Sequence, residues 1–169
     1  MRLKRFYTSR EVTQLTGLTA RQLQWWDRRR IFQSAVSPRR TEAGGFTERR
    51  YTPIDVLELQ VLADLRRQGF PVSRLRRLLS TLRDVFGIRL FDAIGDGGPL
   101  TLLSGGNRLF ARAADGRIFN IEDPAQPLLM VGEDLPLREL TARHRRRRAG
   151  RARISGSGRS SRGPRRAAR

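Results

Sequence analysis

Three observations on the 169-residue chain predict its fold class. Residues 1–87 break into short amphipathic segments punctuated by Gly and Pro. Residues 100–131 read as short apolar or alternating segments between Gly- and Asp-containing turns, and from Thr141 onward Arg, Gly, Ser and Ala make up almost everything. Helical spacing, then strand alternation, then a stretch too poor in apolar surface to offset its ordering entropy predict three parts. These are a mainly α N-terminal domain at 1–87, a small β-rich segment (a hairpin or short antiparallel sheet) at 88–137, and a disordered basic tail at 138–169.

Ser9 can cap a first helix over Arg10–Thr16, with Val12 and Leu15 three apart on one face. Gly17 ends it where a left-handed residue is needed. Thr19 can cap a second helix from Ala20 to about Arg30, with Ala20, Leu23 and Trp26 spaced as one apolar stripe. Two short helices joined by Gly-Leu-Thr make a helix-turn-helix. In that motif the second helix enters the major groove of DNA and its early residues meet base edges. Those residues here are Thr19, Ala20, Arg21 and Gln24. Arginine can form a bidentate pair with guanine, and glutamine with adenine.

Residues 33–50 hold Pro38, Gly44, Gly45 and the arginines Arg39, Arg40, Arg49 and Arg50, with little apolar content. That composition suits a two-stranded wing whose cations follow the phosphates. Tyr51 and Thr52 close the wing, and Thr52-Pro53 reads as an N-cap followed by proline at the first helical position. A third helix is expected from Pro53 to Gln68, with Ile54, Leu57, Val61, Leu62 and Leu65 on one face and Gly69 as its stop. A fourth is expected from near Ser73, carrying Leu75, Leu78, Leu79, Leu82 and Phe86. The two stripes would close a small core over the first two helices, giving a mainly α winged helix-turn-helix domain.

The ordered string of motifs resembles the MerR-type winged helix-turn-helix family over about Phe6 to Phe86. The likeness is carried by Leu18-Thr19-Ala20-Arg21-Gln22-Leu23-Gln24-Trp25-Trp26-Asp27, Ile31-Phe32 and Pro38-Arg39. It continues through Arg49-Arg50-Tyr51-Thr52-Pro53-Ile54-Asp55-Val56 and Leu65-Arg66-Arg67-Gln68-Gly69-Phe70-Pro71-Val72-Ser73. The resemblance implies that Arg21 reads bases while the wing arginines and the aromatic pair meet the DNA backbone. Gln24 stands where the family usually has Arg or His, and Trp25 and Trp26 where it has Tyr. Tryptophan has an N–H donor but no phenolic hydroxyl, so its phosphate contact needs a different geometry. Trp26 falls on the apolar stripe and is expected in the core; Trp25 points away and is the better phosphate candidate. Asp27 is expected to end its helix or pair with a neighbouring arginine. The DNA-contact set is then Thr19, Ala20, Arg21, Gln24, Trp25, Arg39, Arg40, Arg49, Arg50 and Tyr51.

Many MerR-type regulators dimerise through a long helix after the winged-helix unit. Here Gly87, Gly95, Gly97, Gly98 and Pro99 interrupt the pattern and no heptad repeat follows. A homodimer is therefore expected through another element. Leu100–Leu103 reads as a strand, Arg108 to Ile121 as a hairpin turning at Ala114-Asp115-Gly116, and Pro127–Val131 as a further strand. That segment is read as a partner or dimerisation element.

Charge is divided unevenly. Residues 1–87 hold 18 basic and 8 acidic side chains, residues 88–137 hold 4 and 7, and residues 138–169 hold 13 arginines and one Glu. A net charge of +19 points to a polyanionic partner, and the tail reads as an arm of salt-sensitive, sequence-independent affinity. The chain has no Cys and one His, His144, inside an arginine run. This excludes disulfides, thiol catalysis and thiolate metal sites, and speaks against serine–histidine hydrolysis and histidine-rich metal binding. The Gly-rich pieces Gly95-Asp96-Gly97-Gly98 and Ser104-Gly105-Gly106 lack the Lys-Ser/Thr of a phosphate-binding loop and read as turns. Asp92, Asp96, Asp115, Glu122 and Asp123 fall mostly in predicted loops and share no apolar pocket, so acid–base catalysis has no support. No apolar run is long enough to span a bilayer.

The sequence thus reads as a bacterial DNA-binding transcriptional regulator and not an enzyme, cytoplasmic and nucleoid-associated, with no cofactor and no metal. Its partners would be double-stranded DNA, a second copy of the chain, and RNA polymerase as a further candidate, with no membrane. Two rival readings remain: an architectural or excisionase-like DNA-bending factor, and an adaptor that grips RNA or ribosomes through the tail.

Overall fold

Each of the first three helices starts at a threonine. The computed structural model describes residues 4–40, 47–95, 98–128 and 136–141. The helical half runs β1 (Tyr7–Thr8), α1 (Ser9–Thr16), α2 (Ala20–Arg28), β2 (Arg39–Arg40), β3 (Thr47–Glu48), β4 (Arg50–Tyr51), α3 (Pro53–Arg67) and α4 (Val72–Asp84). A 3-10 turn at Leu90–Ala93 leads into β5 (Leu100–Gly105), β6 (Arg108–Ala113), β7 (Ile118–Asn120), β8 (Asp123–Leu128) and β9 (Arg138–Glu139). The expected Gly44, Gly45, Asp96 and Gly97, the residues 129–131 and the tail from 142 lie outside the described residues.

Thr8, Thr19 and Thr52 cap α1, α2 and α3, and each accepts a backbone N–H from the third helical residue. Glu11, Gln22 and Asp55 at those positions return a side chain to the cap's own N–H. The reciprocal pair satisfies two otherwise orphaned donors, worth about 1 kcal/mol per cap. Thr8, not the expected Ser9, caps α1, because Glu11 stands three residues beyond Thr8 and completes the box. Gly17 ends α1 at φ 77. α2 stops at Arg28, short of the expected Arg30, because Arg30 sits in the left-handed region at φ 51 and turns the chain out of the helix. α3 and α4 occupy nearly the expected spans. α4 ends at Asp84, before Gly87.

α3 departs from the single stripe the sequence predicted. Val56, Glu58, Leu59 and Ala63 are buried beside Val61, Leu62 and Leu65, while Ile54 is exposed. The helix lies between α1, β4 and the 3-10 turn, so most of its circumference is covered. On α2, Leu23 and Trp26 are buried but Ala20 is exposed, which narrows that stripe to two anchors. The polar start of the chain supplies β1, which pairs antiparallel with β4 (Tyr7 opposite Tyr51). Two residues per strand carry no readable alternation, and this element was missed. β2 and β3 pair antiparallel as the two sides of the wing.

The last five strands form one antiparallel sheet in the order β8-β7-β6-β5-β9. The expected β6–β7 hairpin is present, with Gly116 at φ 84 in its turn. β8 spans Asp123–Leu128 and so begins four residues before the expected Pro127–Val131, of which 129–131 lie outside the described residues. Asn120 pairs with Asp123 across a tight return, which places Asp123 in a strand and not a loop. It is an edge strand of sequence Asp-Pro-Ala-Gln-Pro-Leu. β9 corrects the tail boundary at 138. Arg138 and Glu139 pair with β5, the Leu140 N–H donates to the Leu102 carbonyl at 2.9 Å, and Leu140 is buried.

Leu102, Leu109 and Ala111 of the sheet, with Ile121 and Leu140 flanking its strands, join Val12, Leu23, Trp26, Leu59, Leu62, Leu75 and Leu82 in one core. Each of the Leu, Ile and Val side chains among them contributes roughly 1.5–3 kcal/mol of burial. Polar and aromatic ties cross the same seam. The Thr81 hydroxyl donates to the Ile121 carbonyl at 3.1 Å. Arg74 meets Glu122 at 2.9 Å. Phe86 and Phe119 pack edge to face, 5.8 Å between centroids. Among the described residues no helix is long and apolar enough to cross a membrane.

Candidate nucleic-acid interface

The second helix presents its polar residues because its apolar ones are spoken for. Leu23 and Trp26, each 3% exposed, pin one side of α2 to the core. That leaves Arg21, Gln24 and Arg28, at spacings of three and four, together on the exposed side. Ala20 is exposed beside them and clears space at the helix N-terminus. Thr19 is exposed too, but its hydroxyl accepts from the Gln22 N–H at 3.1 Å, so its oxygen is engaged in the cap.

The two tryptophans separate as their positions predict. Trp26 is core, whereas Trp25 is 41% exposed with the Arg29 guanidinium 6.0 Å from its ring centroid. Arg28, Arg29 and Arg30 form a basic run at the end of α2 that the sequence reading did not single out. Its signal was three consecutive arginines after the aromatic pair. Arg76 of α4 donates to the Arg29 carbonyl at 3.2 Å and so fixes the run against the next layer.

The four wing arginines do not share one role. Arg39 and Arg40 lie exposed on β2. Arg49 turns back to α2, with Nη2 2.8 Å from Asp27 Oδ2 and Nε donating to the same oxygen at 2.9 Å. This is the arginine partner expected for Asp27. At about a third exposure on both sides the pair adds at most about 1 kcal/mol, and it ties the segment between β3 and β4 to α2. Arg50 is half-buried, with its guanidinium 4.9 Å from the Phe6 centroid.

Tyr51 is a correction. It is 3% exposed, paired with β1 and packed in the core, so its ring cannot reach a phosphate. Its burial pushes the phenol above its ordinary value, opposed in part by a hydrogen bond with Ser9. Between wing and helix lies a cleft of about 400 Å³, walled by Trp26, Asp27, Ser34, Pro38, Arg49 and Tyr51 among others. Among the described residues no cluster of His, Cys, Asp or Glu could hold a metal ion.

A capped helix-turn-helix, a two-stranded wing and a two-helix layer closing over them are now in place. Residues 7–82 match the family described as MerR HTH family regulatory protein. The N-terminal half of this chain is a MerR-type helix-turn-helix domain. No curated protein matches the chain. The MerR-type domain is a DNA-binding, transcription-regulating unit, and its helix-turn-helix is the α1–α2 pair. The five-stranded sheet, apart from its contacts to this domain, lies beyond the matched residues.

Proposed function

We propose that the protein is a sequence-specific transcriptional regulator that sets α2 in the major groove of double-stranded DNA. Arg21 and Gln24 read base edges, Trp25 and Arg28 meet the flanking backbone, and Arg39 and Arg40 of the wing bind phosphates. The 12 arginines after Thr141 add affinity without sequence preference. It works in the cytoplasm as a homodimer joined by an element other than a long coiled coil, alongside RNA polymerase. The observation that carries this reading is the exposed Arg21–Gln24–Arg28 face of a helix whose opposite side is locked in the core.

The test compares the full chain with one ending at Thr141, which keeps β9 and Leu140 in the core. An operator selected from a random duplex pool by the full chain is titrated by fluorescence anisotropy at several salt concentrations. Arg21→Ala is expected to cost roughly 1–3 kcal/mol on that operator and to flatten discrimination against a scrambled duplex. Removing the tail is expected to weaken both duplexes alike and to reduce the salt slope. If instead the shortened chain binds neither duplex and Arg21→Ala changes nothing in the full chain, the tail is the binding element and the adaptor reading replaces this one.

One observation favours the architectural reading as the second choice. α4 has 13 residues and is followed by a sheet, so among the described residues no long helix couples two domains for promoter twisting. Strong bending of the selected operator without an effect on transcription in vitro would select it.

A further inference from the structure

α3 buries two carboxylates three residues apart on one side of the helix: Asp55 is fully buried and Glu58 is 3% exposed. Buried carboxylates are costly unless charged and hydrogen-bonded partners meet them. Among the described residues, one cation meets both. Arg89 Nη2 lies 2.7 Å from Glu58 Oε2 and 3.4 Å from Asp55 Oδ1, and its Nε donates to Glu58 Oε1 at 3.3 Å. The Phe91 N–H completes Glu58 at 3.0 Å.

The far oxygen of Asp55 gathers the two ends of the wing. Its Oδ2 accepts the Thr52 N–H at 2.8 Å, where the chain leaves β4, and the Ala35 N–H at 3.4 Å, where the chain approaches β2. The Ser34 hydroxyl stands between this oxygen, at 3.0 Å, and the Arg50 carbonyl, at 2.5 Å. Arg89, for its part, is fixed by the sheet side. Its own N–H donates to Asp92 at 3.0 Å, and Leu90 and Ala93 of the 3-10 turn are buried in the common core immediately before β5.

We propose that Arg89 is a positioning residue through which the C-terminal sheet sets the base of the wing. The route runs from the sheet through the 3-10 turn to Arg89, then Asp55, then Ser34, Ala35 and Thr52. A ligand or partner that displaces the 3-10 turn acts on the wing along this route, at a distance from the DNA surface. The consequence for affinity rests on the reading of the wing as a phosphate-binding element; the positioning itself does not.

The experiment uses the full chain and three variants. Arg89→Gln keeps hydrogen-bond donors but removes the charge, Arg89→Lys keeps the charge but not the fork, and Glu122→Gln breaks the Arg74 tie of the sheet elsewhere. Amide hydrogen exchange is followed at Ala35 and Thr52, and binding is measured on the duplex selected by the full chain. Arg89→Gln is expected to speed exchange at both amides and to weaken binding roughly two- to thirty-fold, the range typical of residues that couple sites. Arg89→Lys is expected to fall between it and the parent, and Glu122→Gln to leave both amides unchanged. Unchanged exchange in Arg89→Gln, or equal acceleration in Glu122→Gln, overturns the proposal. Faster exchange with unaltered binding upholds the positioning and removes the wing from the DNA interface. Should Arg89→Gln not fold, Arg89→Lys carries the same comparison.

Discussion

The helical half takes its shape from signals a few residues apart, whereas the sheet depends on partners far along the chain. Thr8, Thr19 and Thr52 find their reciprocal partners three residues on. By contrast, β9 pairs with β5 some 35 residues earlier, and β7 and β8, at the other end of the sheet, add little to the common core. A region built from local signals can hold its form with modest packing. A small sheet cannot bury enough by itself, and this one reaches stability by sharing the core of its neighbour.

The largest expected effect tests that sharing. Leu62 of α3 and Leu102 of β5 are both fully buried, so replacing either with Ala is expected to cost about 2–5 kcal/mol. Because the Thr81–Ile121 and Phe86–Phe119 contacts join the halves, both variants should shift a single urea transition followed by circular dichroism. Two separated transitions, with Leu102→Ala moving only the earlier one, would break the comparison.

A second test separates burial from recognition inside one helix. Trp26→Ala is expected to lower stability by about 3–5 kcal/mol. Trp25→Ala should stay within roughly 0.5 kcal/mol in the same unfolding assay and act on duplex affinity instead. Equal destabilisation by the two would mean that the exposed ring contributes to the fold.

The smallest effect is alkaline. Burial raises Tyr51 above its ordinary 10.0, so the folded chain keeps the phenolic proton to higher pH than the unfolded chain. Stability from this group is complete below about pH 10 and declines as pH rises further, since the unfolded state then releases the proton first. Tyr51→Phe should remove that part of the decline in thermal melts across pH 9–11. An unchanged slope would show that the ring opens to solvent.

The same contrast explains what the residues disclosed. The caps at Thr19 and Thr52, the Gly17 and Gly69 stops, the β2–β3 pair and the burial split between Trp25 and Trp26 were legible because caps, glycines and apolar spacing act locally. The α1 cap fell one residue away, on Thr8 and not Ser9. The Arg49–Asp27 pair was half legible: an arginine partner for Asp27 could be expected, but which one depended on how the wing folds back. Tyr51 was misassigned to the surface, because the strand that covers it, β1, is two polar-looking residues near the start of the chain. Asp55 and Glu58 look like ordinary helix-surface acids until Arg89 arrives from more than 30 residues away. β8 begins earlier than expected because the return at Asn120 starts the pairing at Asp123, ahead of the apolar run.

The outermost strand of the sheet has one further consequence. β8 carries Pro124 and Pro127, and proline offers no N–H to a neighbouring strand. An extended chain laid along that border would meet missing donors, which discourages runaway strand addition between molecules. At the opposite border β9 pairs with Leu103 and Ser104 of β5, and the Leu140 N–H carries the pairing on to the Leu102 carbonyl. With prolines on one border and a largely buried β5 behind β9 on the other, the described sheet gives a neighbouring chain little backbone to pair with.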